Sequence, residues 1–255
     1  MKSRVRRLIY SVCCVFSNAI GEGVIKNWIR RGFLSVRPNI PREFMINKGD
    51  TVLQIGLPSI NSLKRITRLI GVDGRLLIVE PDKRNIKMIE SYCKKHADRT
   101  ITLVQKGAWS ETTNLVFLES VGAGDGRVHD SSIVHDNDLR ETIEHTGYKE
   151  TVIEVDTLSN ILEEYKIGRI DYLEIAINGG EVHALSGLGN EYLQNTQRIF
   201  VKGHARHKNT GQPINREISI LLNNAGHRVH ITKPSNAVTG DWGNRQGDVY
   251  GWIAT

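Results

Sequence analysis

With 255 residues, 39% apolar and 24% charged, the chain is long enough to bury a substantial core and too balanced in composition to be disordered. Its three cysteines (Cys13 and Cys14 adjacent, Cys93 alone) exclude a disulfide framework and point to a reducing compartment. The net charge of +6 is local: residues 1–42 carry nine Lys/Arg against Glu22, a balance of +8 that leaves −2 for the body, so no nucleic-acid partner is expected.

Residues 1–42 therefore form a basic amphipathic N-terminal arm, and residues 43–255 a single domain with an insertion at 119–150. Within the arm, Leu8–Ile20 is a mostly apolar run behind a basic start, like the core of a signal peptide. It falls short of the roughly 20 residues that span a bilayer. Val5, Leu8, Ile9, Val12, Phe16 and Ile20 also share one helical face, with Arg6, Arg7, Ser11 and Asn18 elsewhere. Three readings stay open: a helix packed on the domain or a partner, an interfacial helix bringing residues 1–31 to a membrane, and a signal or anchor.

The body opens with Thr51–Gly56, a short apolar run closed by glycine, then a helix over Ser59–Ile70 with apolar Leu63, Ile66, Leu69 and Ile70. Gly71–Gly74 ends that helix, and Arg75–Glu80 is a second buried strand. Gly56 is placed where a cofactor would approach the backbone, a plain strand-ending turn being the alternative. A carboxylate at the second strand's tip, roughly 20 residues past a glycine turn, is the arrangement that grips ribose hydroxyls. Glu80 supplies it, and Pro81 fixes the turn that aims it.

A helix over Lys83–His96 capped by Asp82 and a strand over Thr100–Gln105 follow. Gly107–Ser110 is expected to be a turn. Asn114–Leu118 and Thr151–Val155 are expected to be strands bracketing the polar segment 119–150. The remaining elements are a helix over Thr157–Tyr165 capped by Asp156, a strand over Ile170–Ile177 and a short helix over Glu181–Leu188. Next come a strand over Arg198–Lys202, a helix over Ile214–Ala225, and strands over Arg228–Thr232 and Val249–Ala254. Alternation of strands and helices with short turns predicts an α/β fold, a doubly wound, mostly parallel sheet of about seven strands in the Rossmann-like manner.

The spelling of these elements is specific in its order: Val52-Leu-Gln-Ile-Gly56, Gly74–Pro81, Lys106-Gly-Ala-Trp-Ser110, Val155-Asp-Thr-Leu158, Arg169–Glu181 and Gly187. Across residues 45–205 the series resembles the FkbM-type family of S-adenosylmethionine-dependent methyltransferases. The resemblance implies S-adenosylmethionine as cofactor, held by Gly56, Glu80 and Pro81, with Ala108 and Trp109 beside the adenine. It also marks departures. Where the family strand ends Asp-Val-Glu-Gly-Ala-Glu, this chain has Ala176, Ile177, Asn178, Gly179, Gly180 and Glu181. The first loop holds Gln54 in place of Asp and reads Gly56-Leu-Pro-Ser-Ile60, and Lys202 stands where Glu is usual.

The expected chemistry is methyl transfer, to oxygen, on a small-molecule or glycan-type acceptor. Transfer from a sulfonium needs alignment first, and a hydroxyl acceptor gains from a base. Glu181 and His204 are the catalytic candidates, with Glu174 a third. The altered acids keep open a non-catalytic binding or scaffold protein of the same fold. A nicotinamide oxidoreductase is the weakest alternative, since the first turn has no Gly-x-Gly-x-x-Gly. The scattered histidines show no ligand spacing and no metal is expected. A cofactor-binding α/β domain behind the arm suits the cytoplasmic side, with peripheral membrane contact as an option, and nothing in the sequence sets an oligomeric state.

Overall fold

The computed structural model describes residues 25, 45–120, 132–133, 148–177, 180–202, 214–232 and 247–253. The N-terminal arm apart from Ile25, most of the insertion, Asn178, Gly179 and His204 lie outside the described residues.

The first half alternates strand and helix: β1 (Thr51–Ile55), α1 (Ile60–Ile70), β2 (Arg75–Val79), α2 (Lys83–Lys95) and β3 (Thr100–Val104). After a detour through β4 (Gly107–Trp109), β5 (Thr113–Ser120), β6 (Ser132–Ile133) and β7 (Tyr148–Thr157), alternation resumes. It continues with α3 (Leu158–Glu164), β8 (Tyr172–Ile175), α4 (Glu181–Asn195), β9 (Arg198–Val201), α5 (Ile214–Asn224), β10 (Arg228–Ile231) and β11 (Val249–Trp252). Seven strands form one sheet in the order β10-β11-β9-β8-β1-β2-β3. All its pairings are parallel except those of β11, which is antiparallel to β9 and β10.

Strands β2, β8 and β9 are nearly continuous apolar runs because both faces of the sheet are covered. Alternate residues serve opposite faces. Leu53, Ile55, Leu77, Val79, Leu173 and Ile175 pack under α3, α4 and α5, whereas Val52, Leu76, Ile78 and Tyr172 pack under α1 and α2. Helix α1 starts where the Ser59 side chain accepts from the Ser62 N–H, and stops at Gly71, whose φ of 73° a side chain would resist.

Four local expectations are corrected. Gly107–Trp109 is a strand, not a turn: β4 pairs in parallel with β7, a tertiary pairing that three residues cannot advertise by their own periodicity. The strands bracketing the insertion are longer than their apolar cores and form one antiparallel ladder from Thr113–Val155 to Ser120–Tyr148, giving a second sheet in the order β4-β7-β5-β6. Thr157 rather than Asp156 caps α3, its hydroxyl accepting from the Asn160 N–H. Helix α4 also runs past Leu188, through a kink at Gly189, to Asn195. Among the described residues no helix is long and apolar enough to cross a membrane.

At the opposite edge of the sheet from the strand tips, a buried ion pair ties the entry segment down. Arg198, 2% exposed, donates to the Met45 carbonyl at 3.0 Å and to Asp50 Oδ1 at 2.9 Å, while Asp50 Oδ2 accepts from the Asn47 N–H at 2.6 Å. Burial pushes the Asp50 carboxyl up, and Arg198 works against that shift. Removing the cation alone leaves a buried charge unpaired. Arg198→Ala is expected to lower the unfolding free energy by about 3–5 kcal/mol, and Arg198→Met combined with Asp50→Leu to recover most of the loss, as read by urea denaturation.

Candidate cofactor and active site

Strand order reverses between β1 and β8: the chain leaves β1 toward β2 and β3, and later returns to β8 on its other side. In an open parallel sheet the crevice at such a reversal, beyond the strands' carboxyl ends, is where ligands bind. Gly56, Glu80 and Ile177 stand there.

Gly56 has φ +73°, and its N–H donates to the Val79 carbonyl at 2.9 Å. A Cβ at this position would lie 2.6 Å from the Ala176 carbonyl oxygen and 2.7 Å from Ile177 Cγ2. Glycine is therefore demanded by the approach of β8 itself. Ile177 reaches onward, its Cδ1 lying 3.2 Å from where a Cβ on Gly180 would be, so one side chain links the tip of β1 to the start of α4.

Glu80 is 4% exposed at the end of β2. Its Oε2 accepts from the Leu57 N–H at 2.8 Å and its Oε1 from the Asp82 N–H at 2.9 Å, and the Asn85 side-chain amide donates to it as well. It has no cation partner among the described residues. Burial pushes its carboxyl up to about 7, the hydrogen bonds from Asp82, Leu57 and Asn85 limiting the rise. Pro81, half-buried, carries the chain into α2, which Asp82 caps by accepting from the Arg84 N–H at 2.8 Å.

Ala108 and Trp109 lie on β4, both buried. The Trp109 ring stacks on the His183 imidazole with centroids 3.9 Å apart and planes 12° apart, and Ser110 Oγ lies 3.3 Å from His183 Nδ1. The ring edge faces Gly180, whose absent Cβ would sit 3.3 Å from Trp109 Cζ3, and the Trp109 carbonyl occupies the space a Cβ on Gly187 would need. With Phe117, Ile153 and Val155, Trp109 forms the small core that joins the second sheet to α4. One ring face is thus already covered by His183.

Glu181, 1% exposed, opens α4 directly after Gly180. Glu174 lies outside the crevice. It accepts two hydrogen bonds from Arg65 Nη2, at 3.1 and 2.9 Å, and one from the Tyr172 hydroxyl at 2.8 Å, all under α1. Its register partner Gln54 donates to the Gly56 carbonyl at 2.8 Å and keeps a buried Oε1 without a hydrogen bond. Asp156, rather than capping a helix, gathers Thr112, Asn160, Lys106 and the Thr157 N–H; burial opposes ionisation, but these bonds hold it at about 2.

The structure thus groups Gly56, Glu80 and Pro81 at the tips of β1 and β2, and Ala108, Trp109 and Glu181 around the start of α4. Sequence reasoning missed Asn85, Ile177 and His183. Asn85 carried a weak signal: asparagine is a poor helix former, yet it stands in the first turn of α2. Among the described residues no group of His, Cys, Asp and Glu is arranged to hold a metal ion.

A family model described as the methyltransferase FkbM domain matches residues 58–229. Among curated proteins no sequence matches significantly. In structure the chain is similar to a methyltransferase FkbM from Methylobacillus flagellatus KT, at 13% identity and a TM-score of 0.51 over 80% of this chain and 43% of that one. It thus spans less than half of that protein. More distant likenesses include Aeropyrum pernix fibrillarin with natively bound S-adenosyl-L-methionine, at 11% identity and TM-score 0.46 over 86% and 71% of the two chains. A SAM-dependent O-methyltransferase from Thermotoga maritima follows at 11% identity and TM-score 0.41, over 94% and 70%. At such identities these likenesses concern the fold.

The displaced Glu80 carboxyl has a consequence for stability. Between its ordinary value of 4.5 and about 7 the folded chain binds a proton that the unfolded chain releases. Stability contributed by this group is therefore lost as pH rises through that window, by about 3 kcal/mol in all. Urea denaturation from pH 5 to pH 8 is expected to show this fall in the wild type relative to Glu80→Gln, whose amide does not titrate.

Proposed function

The chain belongs to the methyltransferase FkbM family, and we propose that it uses S-adenosylmethionine to methylate an oxygen of a small-molecule or glycan-type acceptor. The observation that carries this reading is Glu80: a carboxylate at the tip of β2, buried without a cation partner among the described residues and oriented by two backbone N–H groups. A carboxylate offers about four lone-pair positions, so these bonds leave it capacity to accept from a ribose hydroxyl. A buried anion short of donors fits a ligand that brings them.

When bound, the cofactor supplies a methyl group on a positively charged sulfur, which makes the carbon electrophilic without further activation. The residues of the chain then have three tasks. Glu80 accepts from ribose, and the Trp109–His183 stack walls the crevice on the α4 side. Ile177 fills the space between Gly56 and Gly180, excluding water from the strand tips. Glu181 at the start of α4 holds the acceptor hydroxyl, and His204 takes its proton. Glu174 takes no part, since Arg65 and Tyr172 already satisfy it.

A second reading, a non-catalytic binding or scaffold protein, is favoured by Ala176 in place of an acid at the end of β8 and by the covering of Trp109 by His183. Calorimetric titration separates the two. Wild type is expected to bind S-adenosylmethionine and S-adenosylhomocysteine, more tightly as pH rises through 7, because hydrogen bonds from the ligand favour the ionised Glu80. Near pH 7 binding is expected to release protons, seen as a dependence of the heat on buffer ionisation. Glu80→Ala is expected to weaken binding at least about tenfold. No binding to folded wild type would sink the enzyme reading and leave the scaffold.

A further inference from the structure

The hydrogen-bond count at Glu80 leaves one acceptor too few for a ribose. Of about four lone-pair positions on the carboxylate, three are taken, by the Leu57 N–H, the Asp82 N–H and the Asn85 amide. A ribose in S-adenosylmethionine presents two neighbouring hydroxyls. The single position left on Glu80 serves one of them well and cannot serve both.

A second acceptor stands beside it. Asn85 is 3% exposed in the first turn of α2, and its Oδ1 is buried with no hydrogen-bond partner. Because the amide turns its N–H side to the Glu80 carboxylate, the oxygen is necessarily its free end. An unsatisfied buried acceptor costs about 1–3 kcal/mol, a cost that a donor brought by a ligand removes. Together Glu80 and Asn85 offer two acceptors to whatever enters between them.

We propose that Asn85 is a ribose-binding residue that divides the diol with Glu80, its Oδ1 accepting from one hydroxyl while the carboxylate accepts from the other. The assignment rests on reading the crevice as an S-adenosylmethionine site, and goes beyond it by naming the residue that reads the second hydroxyl. It makes the site specific for an intact ribose: a deoxyribose ligand leaves one of two buried acceptors unpaired, whichever hydroxyl is missing.

The test uses full-length protein, calorimetric titration, and three probes: S-adenosylhomocysteine and its 2′-deoxy and 3′-deoxy analogues. Wild type is expected to bind each deoxy analogue roughly tenfold or more weakly than the parent. Asn85→Ala is expected to bind the parent about tenfold more weakly, to lose discrimination against one deoxy analogue and to keep it against the other. A variant-free readout runs in parallel. The Asn85 side-chain amide resonance in a nitrogen–proton correlation spectrum is expected to shift with S-adenosylhomocysteine and not with the analogue that lacks its hydroxyl, which keeps the question answerable should Asn85→Ala fail to fold. Unchanged discrimination in Asn85→Ala, or an amide resonance indifferent to all three probes, overturns the role of Asn85 while S-adenosylhomocysteine binding by wild type upholds the site. Absence of parent binding to folded wild type overturns both.

Discussion

At the carboxyl ends of β1 and β8 the two backbones approach so closely that nothing larger than hydrogen fits on Cα of residue 56. The Ala176 carbonyl and Ile177 Cγ2 fill the space a side chain would need. This contact directs the loop that follows. With Gly56 held to Val79 and in a positive-φ conformation, the Leu57 N–H is delivered to Glu80 and Ser59 is placed to cap α1. The contact between two strand tips thus orients the carboxylate on a third and starts a helix. A substitution at 56 would disturb all of them through the backbone before it touched any ligand.

The same sheet face carries two buried glutamates whose surroundings give them opposite roles. Glu174 meets Arg65 and the Tyr172 hydroxyl, so its charge is neutralised within the protein. Its work is to hold α1 against β8, bridging 109 positions of sequence. Glu80 meets only N–H donors, which hold a carboxylate in place without cancelling its charge, and its carboxyl is pushed to about 7 by burial. A buried anion of this kind is costly to folding unless a ligand repays it, and such uncompensated groups collect at sites of function.

Much of the scaffold was legible because buried parallel strands are continuous apolar runs and their helices carry apolar residues at helical spacing. The position of Glu80 at the tip of β2 was legible too, since it follows from a strand, a glycine turn and a distance along the chain. What escaped depends on contacts between distant segments. Strand β4 exists because β7 pairs with it, Gly107 facing Val155, and that pairing makes a strand of a segment expected to turn and sets Trp109 in a small core. The Arg65–Glu174 pair and the His183 stack are likewise invisible to any local pattern. Asn85 escaped for a subtler reason. Its proposed role comes from counting lone pairs on a neighbour, and that count needs the geometry of every donor around Glu80.

The distribution of altered residues bears on what such a site can still do. Methyl transfer from sulfonium begins with an activated carbon, so the protein must mainly align two reactants and accept a proton. The acceptors that this reading assigns to a ribose, Glu80 and Asn85, stand at the tip of β2 and in the first turn of α2. Two of the acids that the family resemblance leads one to expect are replaced instead by Ala176 and Asn178, in the stretch of sequence between β8 and α4. On the proposed reading cofactor binding and methyl transfer rest on different segments, joined by the Gly56–Ile177 contact. On that reading the altered positions lie apart from Glu80 and Asn85, so cofactor affinity and turnover in this chain are free to diverge.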